Sequence, residues 1–364
     1  MKQPRVALVF SQSQGNATLS YQHGWPSAFV NSTLFHCEPF NLAGISFADE
    51  AAIALSFCRE KYDAIILLHS VFSNQKNLRR LVFLAISLCK APKAFFIGNE
   101  YKLMPEKMRF CRDIGVDLLI SQSNDPKVLL MYRQFLACQV ESIPNTGFDK
   151  NVFYPSTVRQ RRNIDIGYRA FLAPWYLGNN EKSEIATLFT ERADEHQLNV
   201  DISFDPARRF GAVDYAAFLN QCRGQIGTEA GGDYFELTDN IRKKVNNYLE
   251  TNTGATWLEV KSRFFDSYTN AVPMRIISGR QIEAAACKTV QILYAGRYSG
   301  YLEPDQHYIP LRKDGGNLSD VLEKFRDESY CEMITSNAYD VAMSEFTYQK
   351  LIEKFYGFLS QLLS

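Results

Sequence analysis

Ile277-Ser278-Gly279-Arg280-Gln281-Ile282-Glu283-Ala284-Ala285-Ala286-Cys287-Lys288-Thr289-Val290-Gln291-Ile292-Leu293 is the stretch that decides the fold. Ile276 and Ile277 run into a small-residue turn at Ser278 and Gly279. The spacing then predicts a helix from Arg280 to Lys288, and Val290 to Leu293 is a short apolar run of the buried-strand kind. Turn, helix and buried strand in that order form one unit of a parallel sheet covered by helices.

The same alternation extends outward in both directions. Towards the N-terminus, Arg5 to Phe10, Ala64 to Leu68, Ala94 to Ile97, Asp117 to Ile120 and Val140 to Ile143 read as buried strands. The first of them opens into the polar loop Ser11 to Gly15. Helical periodicity fills Asp49 to Cys58, Lys76 to Leu88 and Pro126 to Leu136. After the turn-rich segment Pro144-Asn145-Thr146-Gly147 a second series begins. It has strands at 163–167 and 198–204 and helices at 181–195, 215–221, 320–325 and 330–344. Tyr348, Leu351, Ile352, Phe355, Leu359 and Leu362 share one face of a closing helix over 347–363. The expected organisation is an α/β domain over 1–145, a second over 146–345, and a helix over 346–364 that packs back on the first.

Composition narrows the classes. A 364-residue chain that is 46% hydrophobic and 22% charged is long enough for two domains and is not disordered. Forty basic and forty acidic side chains leave no net charge, which argues against a nucleic-acid-binding protein. Residues 1–150 carry 16 basic and 12 acidic side chains, so a local basic face remains open. The eight cysteines stand singly with no CxxC, the usage of a reducing compartment. The start runs straight into a strand without a signal-peptide pattern, so the expected location is cytoplasmic. The Asn-x-Ser/Thr triplets at Asn16, Asn31 and Asn317 are then chance.

Several sites are missing from the sequence. The first strand is followed by Gly15 alone, not by a GxGxxG fingerprint, and no Walker, HExxH or GxSxG motif occurs. The histidines at 23, 36, 69, 196 and 307 lack metal-ligand spacing.

The stretch 277–293, followed by Gly296-Arg297-Tyr298-Ser299-Gly300-Tyr301-Leu302-Glu303-Pro304 and His307 to Leu311, resembles the C-terminal half of nucleotide-sugar glycosyltransferases of the GT-B type, and more narrowly their spore-maturation-type, group 1-like branch. Ile143 to Pro155 is similar to their interdomain hinge, and Tyr348 to the aromatic that returns the chain to the first domain. The resemblance covers roughly residues 95–360. It implies two Rossmann-like domains facing across a cleft, a nucleotide-sugar donor against the second, and a glycan, glycolipid or protein acceptor against the first. No cofactor and no metal are implied, because helix N-termini and cationic side chains take the charge of the departing diphosphate.

The resemblance also assigns residues. Glu283 matches the second glutamate of the retaining enzymes' pair, on the ribose hydroxyls, which favours retention. The first glutamate would fall at Arg275, so the carboxylate that holds the donor sugar is replaced; Glu229, in the glycine-rich segment 227–232, is the candidate substitute. Arg280, Arg169 and Lys182 are candidate diphosphate cations. Tyr298, Ser299 and Gly300 form a loop at a strand end, where phosphate or sugar contacts fall.

On the acceptor side, Glu100 is a candidate general base, with His69 at the same sheet edge. His23 and Trp25 could form a sugar-stacking platform, against ordinary loop packing. Lys76, Arg79, Arg80, Lys90 and Lys93 could rest on an anionic leaflet at the inner membrane face, against a solvated helix edge. Each candidate also has a plain structural reading: a capping glutamate, a solvated cation, a surface turn or a packed histidine. Two other functional classes stay open: a non-catalytic sugar-nucleotide-binding scaffold, which Arg275 favours, and a sugar-nucleotide epimerase.

Overall fold

A computed structural model describes residues 3–13, 20–268 and 271–364; Gln14, Gly15 and the Asn16 triplet lie outside them. The chain divides into two compact units, one of Met1–Asn145, Phe235–Arg242 and Tyr348–Ser364, the other of Thr146–Tyr234 and Lys243–Thr347.

Unit 1 alternates strand and helix: β1 (Arg5–Phe10), α1 (Ser20–Val30), β2 (His36–Asn41), α2 (Phe47–Arg59), β3 (Ala64–Leu67), α3 (Arg80–Leu88), β4 (Lys93–Phe96), α4 (Met104–Ile114), β5 (Leu118–Ser121), α5 (Pro126–Leu136) and β6 (Gln139–Ser142). The six strands form a parallel sheet in the order β2-β1-β3-β4-β5-β6. Strands β3 and β4 are buried along their whole length, which is why they read as unbroken apolar runs. Alternate residues Val6, Leu8 and Phe10 enter a core with Trp25, Phe29, Phe96 and Phe355.

Strand β2 was not legible because Pro39 interrupts it. Proline is tolerated at the edge of a sheet, and β2 is an edge strand. The helix expected from Lys76 begins only at Arg80, because residues 72–77 turn back on themselves through a Phe72–Lys76 bridge.

Unit 2 contains β7 (Ile164–Arg169), α6 (Glu181–Glu191), β8 (Val200–Ser203), α7 (Ala212–Gln221), β9 (Cys222–Gly227), β10 (Ala230–Gly232), α8 (Asn240–Thr251), α9 (Trp257–Phe264), β11 (Met274–Ile276), α10 (Gly279–Ala286), β12 (Val290–Tyr294), β13 (Ile309–Leu311), α11 (Leu318–Arg326) and α12 (Glu328–Glu345). Its parallel sheet has the order β13-β12-β9-β7-β8, and β10 pairs antiparallel with β11 apart from it. The central strand β9 carries Gly224 and Gly227 and gave no strand signal. The missing side chain of Gly224 makes room for the Phe325 ring, which a Cβ there would approach to 2.7 Å. The first three residues of α8 belong to unit 1 and the rest to unit 2.

The final helix, α13 (Tyr348–Leu363), buries Leu351, Ile352, Phe355 and Leu359 in the core of unit 1. Each such side chain contributes roughly 1.5–3 kcal/mol relative to exposure. Among the described residues no helix is long and apolar enough to cross a membrane.

Candidate functional site

In unit 2 the winding of the sheet reverses at β7, with β8 on one side of that strand and β9 on the other. Open parallel sheets bind ligands outside the C-terminal strand ends at such a point. Those ends are Arg169-Ala170 and Gly227-Thr228. Two glutamines fix the start of α10 there. Gln225 Nε2 donates to the Arg280 carbonyl at 2.9 Å, and Gln281 Nε2 donates to the Thr228 carbonyl at 3.1 Å. Ser278 closes a capping box with Gln281, its N–H donating at 2.9 Å. A Cβ on Gly279 would lie 2.9 Å from Thr146 Cγ2, so this glycine is required by packing.

Two cations meet at this end of the sheet. Lys182 lies in the first turn of α6 and Arg280 in the first turn of α10. Burial, then the positive charges of Arg280 and Arg275, push the Lys182 ammonium down to about 7. Arg280 also acts electrostatically on Tyr168 and Tyr215, whose hydroxyls burial holds in the neutral form. Among the described residues neither Lys182 nor Arg280 is ion-paired with a carboxylate. Glu283 is 6% exposed on α10, and its charge is felt by the Tyr215 hydroxyl.

Arg275, at the position expected to hold a carboxylate, is the centre of an ion-pair network. Its guanidinium donates to both oxygens of Glu181, at 2.8 and 2.9 Å, and its Nε donates to Asp233 at 2.7 Å. Lys313 Nζ lies 2.6 Å from Glu181. Burial pushes the Glu181 carboxyl up, but Arg275 and Lys313 more than offset it, leaving it below its ordinary value. Glu229 accepts the backbone N–H groups of Tyr298 at 2.7 Å and Arg297 at 3.2 Å. It thereby holds a turn in which Tyr298, Ser299 and Gly300 all take positive φ, +44°, +57° and +79°. Tyr298 is fully buried, with its hydroxyl donating to the Tyr294 carbonyl at 2.6 Å, and Ser299 Oγ accepts the Ile277 N–H at 3.1 Å. Arg169 turns away to Asp201, at 2.6 Å, and lies over the Phe218 ring at 4.4 Å. Its charge is matched locally.

In unit 1, Glu100 is 2% exposed and its carboxylate accepts from Ser121 Oγ, the Tyr132 hydroxyl and the Gln122 N–H, each at 2.7 Å. Burial raises its pKa against those three donors. His69 follows β3, and burial pushes its imidazole down to about 4, so it is neutral at pH 7. A Cβ on Gly98 would lie 3.0 Å from His69 Cβ, which places the two loops side by side.

No family model matches the sequence, and no curated protein does. Solved structures do match over the whole chain. Sucrose-phosphate synthase of Thermosynechococcus elongatus superposes with a TM-score of 0.55 at 13% identity, covering 99% of each chain. HepE of Anabaena in complex with UDP-glucose gives 0.54 at 13%, covering 98% of this chain and 100% of that one. A glycosyltransferase of Rickettsia africae gives 0.54 at 11%, covering 100% of both. The chain has the GT-B fold.

Within the GT-B fold, the structure brings Lys182, Arg280 and Glu283 to one end of the unit 2 sheet, and Glu229, Tyr298, Ser299 and Gly300 into one turn of the same unit. Arg169 is not part of the cation pair. The stacking platform is corrected: Trp25 is fully buried in α1, against Phe96 and Tyr348, and its indole N–H donates to the Asn145 carbonyl at 2.7 Å. An aromatic that closes a core has no face left for a sugar. Of the basic edge, Lys76, Arg79, Arg80 and Lys90 are exposed. Lys93 is buried and donates to the Cys89 and Ala91 carbonyls, Arg79 pairs with Glu50 at 2.8 Å, and Lys76 lies over the Phe83 ring. Sequence reasoning missed Gln225, Gln281, Glu181 and Asp233. Glu181, directly before Lys182 at a helix start, left the one readable signal.

Proposed function

We propose that this protein is a glycosyltransferase that moves a sugar from a nucleotide-sugar donor to a glycan, glycolipid or protein acceptor. The observation that carries the reading is the Lys182–Arg280 pair, two partly buried cations at helix starts that form no ion pair with a carboxylate among the described residues. A diphosphate supplies the missing negative charge, and the amides at the start of α10 add to it. Glu283 is assigned to the ribose hydroxyls, with retention the favoured outcome. The charge of the leaving group is assigned to these groups and not to a divalent ion. HepE, of the same fold, is known in complex with UDP and with UDP-glucose, in keeping with a donor of this class.

One observation favours a second reading, a binding protein without catalysis. Arg275 takes the position of a donor-sugar carboxylate and is engaged by Glu181 and Asp233. The two readings separate by experiment. Nucleotides and nucleotide sugars at millimolar concentration should raise the melting temperature. Incubation of the stabilising donor with candidate acceptors should then release nucleoside diphosphate with transfer of the sugar. Stabilisation without turnover selects the binding protein, and no shift with any nucleotide removes both.

A further inference from the structure

Crossover connections between parallel strands are right-handed, so those that step the same way across a sheet place their helices on the same side of it. The steps from β2 to β3, β3 to β4 and β4 to β5 all run one way along the order β2-β1-β3-β4-β5-β6. Helices α2, α3 and α4 therefore share one side of the unit 1 sheet. Helices α2 and α3 begin together. Glu50 of α2 accepts the N–H of Leu81, in the first turn of α3, at 2.8 Å, and Arg79 Nε at 2.8 Å.

The outward faces of the three helices differ. On α4, Glu106, Arg109, Arg112 and Asp113 are exposed, the charged face that a surface helix ordinarily turns to water. On α3 the exposed line at four-residue spacing is Arg80, Leu84 and Leu88, with Leu84 46% and Leu88 81% exposed. On α2 it is Ala48, Ala52, Leu55 and Arg59, with Leu55 49% exposed. Core packing accounts for Val82, Ala85 and Ile86 on the inner side of α3, but not for leucines on its outer side.

The charges around this apolar strip are mainly positive. Lys76 and Arg80 stand where the helices begin, and Arg59, Lys61 and Lys90 where they end, all exposed. Among the described residues none of the five forms an ion pair with a carboxylate. The neighbouring carboxylates are engaged: Asp49 in the capping box with Ser46, Glu50 by Arg79, Glu60 by Arg5, and Asp63 by the Arg5 N–H. Two-fold self-association sets a patch against its own copy, and here it would oppose cation to cation. An anionic leaflet suits both parts, since its phosphates attract the cations and its acyl boundary takes up the leucines.

We infer that the α2–α3 face docks unit 1 on an anionic phospholipid leaflet, with Leu55, Leu84 and Leu88 entering the acyl boundary and Arg59, Arg80 and Lys90 among the headgroup phosphates. The inference goes beyond the nucleotide site proposed above, whose residues Lys182, Arg280 and Glu283 all belong to unit 2.

The test is flotation of the full chain with vesicles of phosphatidylcholine alone and of equal parts phosphatidylcholine and phosphatidylglycerol. The chain should float with the anionic vesicles and not with the neutral ones, and high salt should release it by screening the headgroup attraction. Leu84→Glu with Leu88→Glu, and separately Arg80→Glu with Lys90→Glu, should each weaken binding by about tenfold or more. These positions are exposed, so the melting temperature should stay close to wild type. Lys243→Glu with Lys244→Glu, an equal change of charge in unit 2, should leave binding in place. No flotation with either vesicle overturns the inference. So does flotation that the leucine variant leaves unchanged, or that the unit 2 variant reduces as much as Arg80→Glu with Lys90→Glu does. A dimer in sedimentation velocity that the leucine variant dissociates assigns the face to a second copy and overturns it too. Should the leucine variant fail to fold, the Arg80 and Lys90 variant decides. Nucleotide should raise the melting temperature in every variant, so failure of docking leaves the proposed function standing.

Discussion

Arg275 grips Glu181 through two near-parallel hydrogen bonds of 2.8 and 2.9 Å, across 94 residues of sequence. The side chains are 11% and 9% exposed, so each charge depends on the other for its solvation. Arg275→Met should destabilise the protein by about 2–3 kcal/mol, because Glu181 is left half-paired and buried. Urea unfolding measures this. The Glu181 carboxyl is depressed, so its contribution is present above the ordinary carboxylate range and is lost as pH falls through and below that range. The stability gap between wild type and variant should therefore narrow in acid; a gap constant with pH would contradict the assignment.

Lys182 makes nucleotide affinity depend on pH. Its ammonium loses a proton near 7 in the unliganded protein, and a bound diphosphate favours the charged form. Affinity should be flat below pH 7 and weaken towards pH 9, by at most about tenfold per unit. Titration calorimetry in the wild type and in Lys182→Met tests this, the variant binding weakly with little slope over that range.

Glu283→Gln should weaken nucleotide binding by about tenfold or more, the scale of a hydrogen bond to a charged group. The melting temperature of the unliganded variant should stay close to wild type, since an amide of the same shape replaces the carboxylate. Unchanged affinity would remove Glu283 from the site.

Gly24 and Tyr348 form a lock in unit 1. A Cβ on Gly24 would come within 2.0–2.2 Å of the Tyr348 ring atoms and hydroxyl. Gly24→Ala should cost about 1–3 kcal/mol by overpacking. In Tyr348→Ala the same glycine substitution should cost much less, and a double-mutant cycle in urea measures the difference.

The βαβ alternation was legible in β1, β3, β4 and β12, which are buried on both faces and are built from continuous apolar runs. Strands β2 and β9 were not legible. Pro39 is admitted by an edge position, and Gly224 by the bulk of Phe325, and neither fact is local. The helices α1, α4, α8 and α9 also escaped the reading. At the site, Arg280 and Glu283 followed from the stretch that carried the resemblance. Arg169 matched the pattern equally well but is drawn to Asp201 and the Phe218 ring, which lie 32 and 49 positions further along.

By itself the sequence determined the class of fold, the helix that opens at Gly279 and the amphipathic return over α13, because periodicity is written within a few turns of chain. Tertiary structure alone decided which charges are matched. Arg275 meets Glu181, Asp239 caps α4 and Glu100 gathers three donors, while Lys182 and Arg280 form no ion pair with a carboxylate among the described residues. A buried charge takes its role from its partners, and most of these partners are brought together only by folding.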